Sequence, residues 1–325
     1  MTVVGDGGAR EGGVPLKDVA STGIGTSAAE TSDMRNFATR SDRGAGMADS
    51  VEDTRFGFGR NWLAFADLVD ERRITEAERS LRTLCMRDRL DGLRFLDVGS
   101  GSGLSSLAAR RLGASVVSFD YDPDSCACTA RLRERFRPGD AAWRVERGSA
   151  LDDQYLATLG RFDVVHSWGV LHHTGAMHEG IRKVAALVEP SGLLILGLYR
   201  KTRLCTLWTR EKRWYLGASP AAQQRARRTF VAMMRLAFLL SGRDFDDHVR
   251  SYASVRGMSF SHDVHDWMGG YPYESITPEN ARALLSSLDF LEVKSWTRGY
   301  ELGLFGSGCD EYTYRRRDDR NDGRG

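Results

Sequence analysis

Three groups of residues in this sequence have types and spacings that could do chemistry. The first is Phe95-Leu-Asp-Val-Gly-Ser-Gly-Ser-Gly-Leu104, followed by a second strand-like run ending in Asp120. A hydrophobic strand, a turn built on Gly99, Ser100, Gly101 and Gly103, and then a helix form a backbone cradle. An acidic residue closing the next strand suits the two hydroxyls of a ribose. Dinucleotide sites share that physics, so Asp97 matters. It puts a second carboxylate at the strand end where a diphosphate would have to sit. Two carboxylates disfavour a diphosphate but tolerate a ligand carrying a sulfonium and an ammonium.

The second group is His172-His173, directly after a strand expected over 162–168. Neutral imidazole suits a base near pH 7. Adjacent residues leaving a strand point in different directions, so only one is expected to face a substrate; a purely architectural role is the alternative. The third group is the run 252–274, dense in Tyr252, Arg256, His262, Asp263, His265, Asp266, Trp267, Tyr271, Tyr273 and Glu274. Gly269-Gly270 and Pro272 predict a defined turn. Arg256 could grip a carboxylate or phosphate. The His and Asp repeats would need a helix to converge on a metal ion, and the nearby glycines and aromatics argue against a long one, so no metal is assigned. A hydrogen-bonding pocket for a polar small molecule is the preferred reading, and plain lid structure is the alternative.

The elements that must position these groups alternate. Helices are expected near 60–70 and 73–87, then strand 94–99, helix 103–111, strand 115–120, helix 124–136, strands 142–147 and 162–168, helix 176–187 and strand 192–199. Apolar runs spaced by amphipathic segments predict an α/β fold with a mainly parallel sheet. Pro190-Ser-Gly192 reads as a turn into the fifth strand. The alternation lapses over 200–275, where a long helix is expected at 221–241, and resumes with helix 278–288 and strands 291–298 and 310–316. The lapse reads as a lid inserted after the fifth strand, over the crevice where open α/β sheets bind ligands. A packing or dimerisation appendage is the alternative, which leaves a homodimer open. The run Phe56-Gly-Phe-Gly-Arg-Asn-Trp-Leu-Ala-Phe65 suits a flap over a bound cofactor or a helix packed on the core.

Residues 1–50, rich in Gly, Ala, Ser, Thr and Asp, and the tail 317–325 are expected to be disordered. Residues 51–199 and 276–316 then form the main domain, split by the insertion 200–275. The 325 residues carry 46 basic and 44 acidic side chains, a formal charge of +2 that does not argue for nucleic acid or an anionic membrane. No apolar run reaches the ~20 residues of a membrane span, and the start lacks a signal-peptide pattern. The five cysteines are scattered without zinc-ligand spacing, as expected of a reduced cytoplasmic protein.

On residues 95–103, 116–120, Gly148-Ser-Ala-Leu-Asp152 and Phe162-Asp-Val-Val-His-Ser-Trp-Gly-Val-Leu-His-His173, the chain resembles class I S-adenosylmethionine-dependent methyltransferases. Within them it is similar to the bacterial subgroup related to ubiquinone-biosynthesis methylases. The resemblance implies a Rossmann-like, seven-stranded, mostly parallel sheet with a terminal antiparallel strand, and S-adenosyl-L-methionine as cofactor. It implies that Asp97 orients the methionine ammonium, that Gly99, Ser100, Gly101 and Gly103 admit the cofactor, and that Asp120 takes the ribose hydroxyls. Tyr121 would stack beside the adenine, Ala150 and Leu151 would line it, and Asp152 would receive its amino group or serve as a turn carboxylate. Ser167 and Trp168 would flank the methionine portion, Asp163 would be structural, and Tyr199 would join the substrate-facing residues. The turn Asp266-Trp-Met-Gly-Gly-Tyr271 resembles one found in a bacterial subset, which points to natural-product or surface-glycan tailoring. The expected reaction is methyl transfer to an oxygen or nitrogen of a polar small molecule. A peptide side chain as acceptor, a nicotinamide-dependent oxidoreductase and a non-catalytic binding protein are the rivals.

Overall fold

The computed structural model describes residues 55–59, 62, 66–256, 260–297, 302–306 and 308–318, and not the side chains of 253–256 and 262. The expectations for residues 1–50, and for the tail beyond Asp318, lie outside the described residues. The tail's first two residues are placed: the Arg317 backbone N–H donates to the Asp289 carbonyl at 2.8 Å.

Helix α1 (Glu71–Cys85) leads into β1 (Arg94–Val98), α2 (Leu104–Arg111), β2 (Ser115–Asp120), α3 (Pro123–Phe136) and β3 (Trp143–Arg147). Then come α4 (Asp153–Leu159), β4 (Phe162–Trp168), a 3-10 turn (Leu171–His173), α5 (Met177–Ala186) and β5 (Val188–Tyr199). The sheet has the order β3-β2-β1-β4-β5-β7-β6, with β6 (Phe290–Trp296) and β7 (Cys309–Arg316). Strands β1 to β5 run parallel, and β7 is antiparallel between β5 and β6. The expected Rossmann-like sheet with a terminal antiparallel strand is therefore present.

Local sequence explains where the helices begin. Asp122 caps α3 ahead of Pro123, Ser219 caps α7 (Pro220–Leu240) ahead of Pro220, and Thr277 caps α10 (Pro278–Ser286) ahead of Pro278. Each pairs an oxygen acceptor with a proline whose missing N–H costs nothing there. Strand alternation divides the core between the two sheet faces. Phe95, Val164, Leu193 and Ile195 pack under α1 and α2, while Leu96, Val165, Leu194 and Leu196 pack under α5 and α10.

The insertion after β5 is helical throughout its larger part: α6 (Cys205–Gly217), α7, α8 (Phe245–Arg256) and α9 (Phe260–Gly269). Its own core joins Tyr215, Phe230, Val264 and Met268. The glycines and aromatics argue against a long helix through the His and Asp repeats; the helix there, α9, has 10 residues and ends at Gly269. Helix α4 is an element the periodicity does not reveal, being only 7 residues long. The expected turn at 190–192 is an irregularity inside β5, where Ser191 has φ +64 and the β4 pairing shifts register. Among the described residues no helix is long and apolar enough to cross a membrane.

Candidate active site

The cradle lies at the carboxyl ends of β1 and β2. Gly99, Gly101 and Gly103 all have positive φ, at 72°, 52° and 78°. A Cβ on Gly99 would come within 2.4 Å of the Val170 side chain, and one on Gly103 within 3.0 Å of the Thr129 backbone. The turn is therefore closed to any larger residue. Its backbone is held by the Gly99 and Ser100 N–H groups donating to the Phe119 carbonyl at 2.8 and 3.0 Å. Ser100 itself pairs its hydroxyl with Thr129 at 2.9 Å.

Asp120 stands at the mouth of this turn. Its Oδ2 accepts the Gly101 N–H at 2.9 Å and its Oδ1 the Asp122 N–H at 3.0 Å. Each oxygen keeps a further lone pair for a hydroxyl donor. Helix α3 is capped by Asp122 instead, through the Asp124 N–H at 2.9 Å. Burial raises the Asp120 pKa to about 6, against the two backbone donors and helped by the charges of Asp122 and Asp97.

Asp97 sits elsewhere than expected. Its carboxylate is buried, accepting from the Ser106 hydroxyl and lying 2.9 Å from His166 Nδ1. Ser106 continues to Ser118 and on to the Trp143 indole. Both oxygens thus serve an internal network behind the turn, and the expected contact with a ligand ammonium is replaced by support of β1 and α2. Strand alternation is the cause, since Asp97 shares the face of Phe95.

Other expected cofactor contacts divide. Tyr121 is exposed, with the Arg55 guanidinium 5.0 Å from its ring centre. Ala150 is buried in the core, and the Leu151 carbonyl accepts from Lys183 Nζ at 2.7 Å. Asp152 is a helix cap: its Oδ1 accepts from the Gln154 and Tyr155 N–H groups at 3.0 and 3.2 Å. That is the turn-carboxylate reading. Ser167 is fully buried, and its hydroxyl has no hydrogen-bond partner among the described residues. Trp168 reaches sideways over Gly197 to Glu311, with the indole N–H 2.8 Å from Oε1. It spans β5 and β7, away from the turn. Asp163 accepts the Arg94 N–H at 2.8 Å and is structural, as expected.

Beyond the β4 tip a cluster of packed rings, the ring chamber, is centred on Tyr199. His172 stacks on Tyr199 with centroids 3.8 Å apart, and His173 meets it edge-on at 5.3 Å. Both histidines therefore reach the same cluster, because a 3-10 turn follows the strand instead of extended chain. The Tyr199 N–H donates to His172 Nδ1 at 3.2 Å, which fixes the neutral ring's proton on Nε2. That Nε2 is buried without a partner among the described residues. His173 is the opposite tautomer: Nδ1 donates to the Pro272 carbonyl at 2.7 Å and the lone pair is on Nε2. Burial lowers both pKa values, that of His173 to about 3 despite hydrogen bonds to the Pro272 and Gly270 backbone, so both rings are neutral. Burial likewise pushes the Tyr199 phenol well up.

The insertion supplies the far wall. Trp267 and Tyr273 lie 5.2 and 5.3 Å from Tyr199. Sequence reasoning missed Lys212, which is fully buried with Nζ donating to the Trp267 carbonyl, 3.6 Å from the Trp267 ring centre. Burial pulls its pKa well down, and Glu211 opposes that. A signal existed: Cys205, Trp208, Lys212 and Tyr215 recur at helical spacing, so Lys212 falls on the inward stripe of α6. Asp266 is buried and raises the Tyr199 pKa further. The Tyr271 hydroxyl accepts from Arg213 at 2.8 Å.

Three expected substrate contacts are not assembled there. His265 accepts at Nδ1 from Arg227 at 2.9 Å, within a network shared with Tyr215. Tyr252 packs on Phe260 and donates to Asp263 between α8 and α9. Glu274 accepts the Met177 N–H at 2.9 Å and caps α5. Its N–H donates to the His172 carbonyl, so it braces the histidine turn. Tyr252 and Glu274 are thus drawn into packing and capping by elements close in space but remote in sequence. The Arg256 and His262 side chains lie outside the described residues.

A second feature is the N-terminal strap. Phe56 donates its N–H to the Tyr271 carbonyl at 2.9 Å and packs on His265 at 5.1 Å. Phe58 lies 4.9 Å from His173, the Gly59 N–H donates to Asp122 at 2.8 Å, and the Trp62 indole faces Gly101. Residues 55–59 and 62 thus touch the cradle, the histidines and the insertion at once. Trp62 also packs against the core and its backbone N–H donates to the Phe58 carbonyl at 3.2 Å, so contacts of both readings, flap and core-packed helix, are present. Among the described residues no group of three or more His, Cys, Asp or Glu side chains could hold a metal ion.

The sequence family described as "Methyltransferase domain" matches residues 69–246, more than half of the chain. The chain belongs to the methyltransferase-domain family. Curated relatives include the ubiquinone biosynthesis O-methyltransferase of Azorhizobium caulinodans, 30% identical over 159 residues, covering 47% of this chain and 53% of the relative. The Xanthomonas campestris protein of the same name is 35% identical over 116 residues, covering 36% and 47%. The match spans about half the length of these methyltransferases. Among solved structures, the magnesium protoporphyrin IX methyltransferase of Synechocystis PCC 6803, with bound S-adenosylhomocysteine, is 15% identical. It aligns over 84% of this chain and 90% of its own, with a TM-score of 0.45.

Residues of this methyltransferase fit the family's cofactor on one observation: a turn that only glycine can form, facing a carboxylate with lone pairs to spare. Asp120 would hold the ribose hydroxyls beside the turn, whose own amides of Gly99, Ser100, Gly101 and Gly103 are engaged internally.

Proposed function

We propose that this methyltransferase moves the methyl group of S-adenosyl-L-methionine to an oxygen of a polar small molecule enclosed between the β4 tip and the helical insertion. The observation that carries it is the strap, which packs on the glycine turn through Trp62 and on His173 through Phe58. One segment then covers both the cofactor's seat and the chamber, excluding the water that would compete for an activated methyl. The cofactor supplies an electrophilic methyl on sulfur.

The chain's own residues orient and deprotonate. Asp120 and the glycine turn fix the donor's position, so that approach is in line. His172 offers Nε2–H as a donor to the acceptor. His173 offers the Nε2 lone pair as proton acceptor. A pKa of about 3 makes it a weak base at rest. A hydroxyl becomes a strongly acidic oxonium as its oxygen is methylated, and such a proton passes downhill even to this imidazole. A methylated amine stays far too basic to do so. That contrast favours oxygen over nitrogen, and the curated relatives' names specify O-methylation. A polar acceptor suits a chamber bearing the His172 N–H, the Tyr199 hydroxyl and Lys212 among its rings. Bacterial natural-product or surface-glycan tailoring is the setting that such a chamber suits.

Calorimetry with S-adenosylmethionine and S-adenosylhomocysteine is the direct test. Binding of both is expected, and folded protein that binds neither ends the proposal. Methyl incorporation on nitrogen, with amine acceptors turned over and hydroxyl acceptors not, would overturn the choice of atom.

A further inference from the structure

Several arginines are neutralised: Arg82, Arg110, Arg111, Arg131, Arg235 and Arg282 each lie within 3.0 Å of a carboxylate. One cleft gathers cations that are not. It has a volume of about 380 Å³ and lies between the start of α6 and the segment 271–275 that follows α9. Lys201, Arg210 and Arg213 line it, with the Thr206 and Ser275 hydroxyls and the Cys205 thiol. No carboxylate of the described residues forms an ion pair with any of the three cations. Arg213 is held by a neutral group, donating from Nε and Nη2 to the Tyr271 hydroxyl at 3.2 and 2.8 Å. Three cations without an ion pair among the described residues thus line one concavity, at the side-chain-uncapped start of a 13-residue helix.

The thiol on the cleft wall is held by neutral donors. The Thr202 N–H donates to Cys205 Sγ at 3.1 Å, and the Tyr273 hydroxyl lies 3.4 Å away. Burial pushes the thiol up, but hydrogen bonds from Ser275, Thr202 and Tyr273 outweigh it and leave its pKa below the ordinary value. Cys126 and Cys128 are pushed the other way, to about 11 and about 12. The cleft and the chamber share a wall. Tyr273 touches Cys205 on one side and lies 5.3 Å from Tyr199 on the other.

We infer that this cleft binds an oxyanion, a phosphate or carboxylate, and that it holds the charged end of the methyl acceptor while the reacting hydroxyl enters the chamber past Tyr273. The second half rests on the reading given under Proposed function; the first does not. Anchoring by charge outside the chamber would position an acceptor without placing a charge among the rings, where desolvation would be costly.

The test titrates inorganic phosphate, and separately acetate, into the full chain loaded with S-adenosylhomocysteine. Arginine Nε–H resonances provide the readout. Saturable shifts are expected at Arg210 and Arg213, with the tighter anion showing which class the cleft takes. The double variant K201Q/R210Q should lose about tenfold in affinity for that anion, while still binding S-adenosylhomocysteine as a check on folding. Absence of saturation, or undiminished affinity in the variant, would overturn the site. Anion binding without methyl transfer to any hydroxyl acceptor would leave the cleft standing and remove the transferase reading. With an acceptor in hand, the variant should raise KM and leave kcat near its starting value; a loss in kcat alone would remove the anchoring role.

Discussion

The cradle and the chamber are built by different means. The cradle comes from neighbours in sequence: a turn of 99–103 and an acid some twenty residues on, joined by adjacent parallel strands. The chamber joins Phe58, His172, His173, Tyr199, Lys212, Trp267 and Tyr273, drawn from six separate segments. The first is specified by backbone geometry and tolerates little change. The second is specified by packing, and its chemistry can be altered one side chain at a time.

Four experiments can break or sharpen that contrast. The largest effect is expected from His173→Ala, in the chamber. It should lower kcat by about 100-fold or more with cofactor affinity unchanged, measured by steady-state kinetics and calorimetry. His172→Ala, removing a donor and not a base, should retain a pH profile of the original shape. Equal loss of cofactor affinity in His173→Ala would show that the two regions are not separable.

Next comes the cradle. Asp120→Ala should weaken S-adenosylhomocysteine binding by about 2 kcal/mol, roughly thirtyfold, through lost acceptors. Gly99→Ala should cost about 1–3 kcal/mol of stability, read as a lowered Tm, because its φ is 72° and Val170 fills the space. Normal affinity in Asp120→Ala would remove the ribose assignment.

Phe58→Ala probes the junction. Loss of its contacts with Phe56 and His173 should raise acceptor KM by a factor of about 5, on the order of 1 kcal/mol. An effect confined to the cofactor would place the strap with the cradle alone.

The smallest effect is the pH dependence of cofactor binding. Asp120 titrates near 6 in the free protein, and hydroxyl donors bind its ionised form better. Affinity should therefore fall as pH drops through about 6, and binding at that pH should release protons, seen as buffer-dependent heats. For stability the sign is reversed. A raised carboxyl pKa favours the free fold fully below the ordinary carboxyl range, and that contribution is lost as pH rises through about 6.

Much of the cradle was legible because strand, glycine turn and acid are local signals. Asp97 shows the limit: its position was readable, but only the sheet reveals that its side chain turns to Ser106 and His166. Asp152 and Glu274 show another. A carboxylate near a ligand and a carboxylate capping a helix look alike in sequence, and the helix each one caps decides between them. The short helix α9 was not placed from sequence, because glycine at a helix end resembles glycine that prevents a helix.

By itself the sequence determined the order of the strands' apolar runs, the glycine turn with its positive φ, and the proline-marked helix starts. These follow from steric rules and hydrogen bonding within a few residues. Only the tertiary structure decided which ring nitrogen of each histidine is hydrogen-bonded, that Lys212 is buried, and that Phe58 and Trp62 contact both regions. Those outcomes depend on burial and on contacts between residues up to two hundred positions apart, which no local pattern encodes.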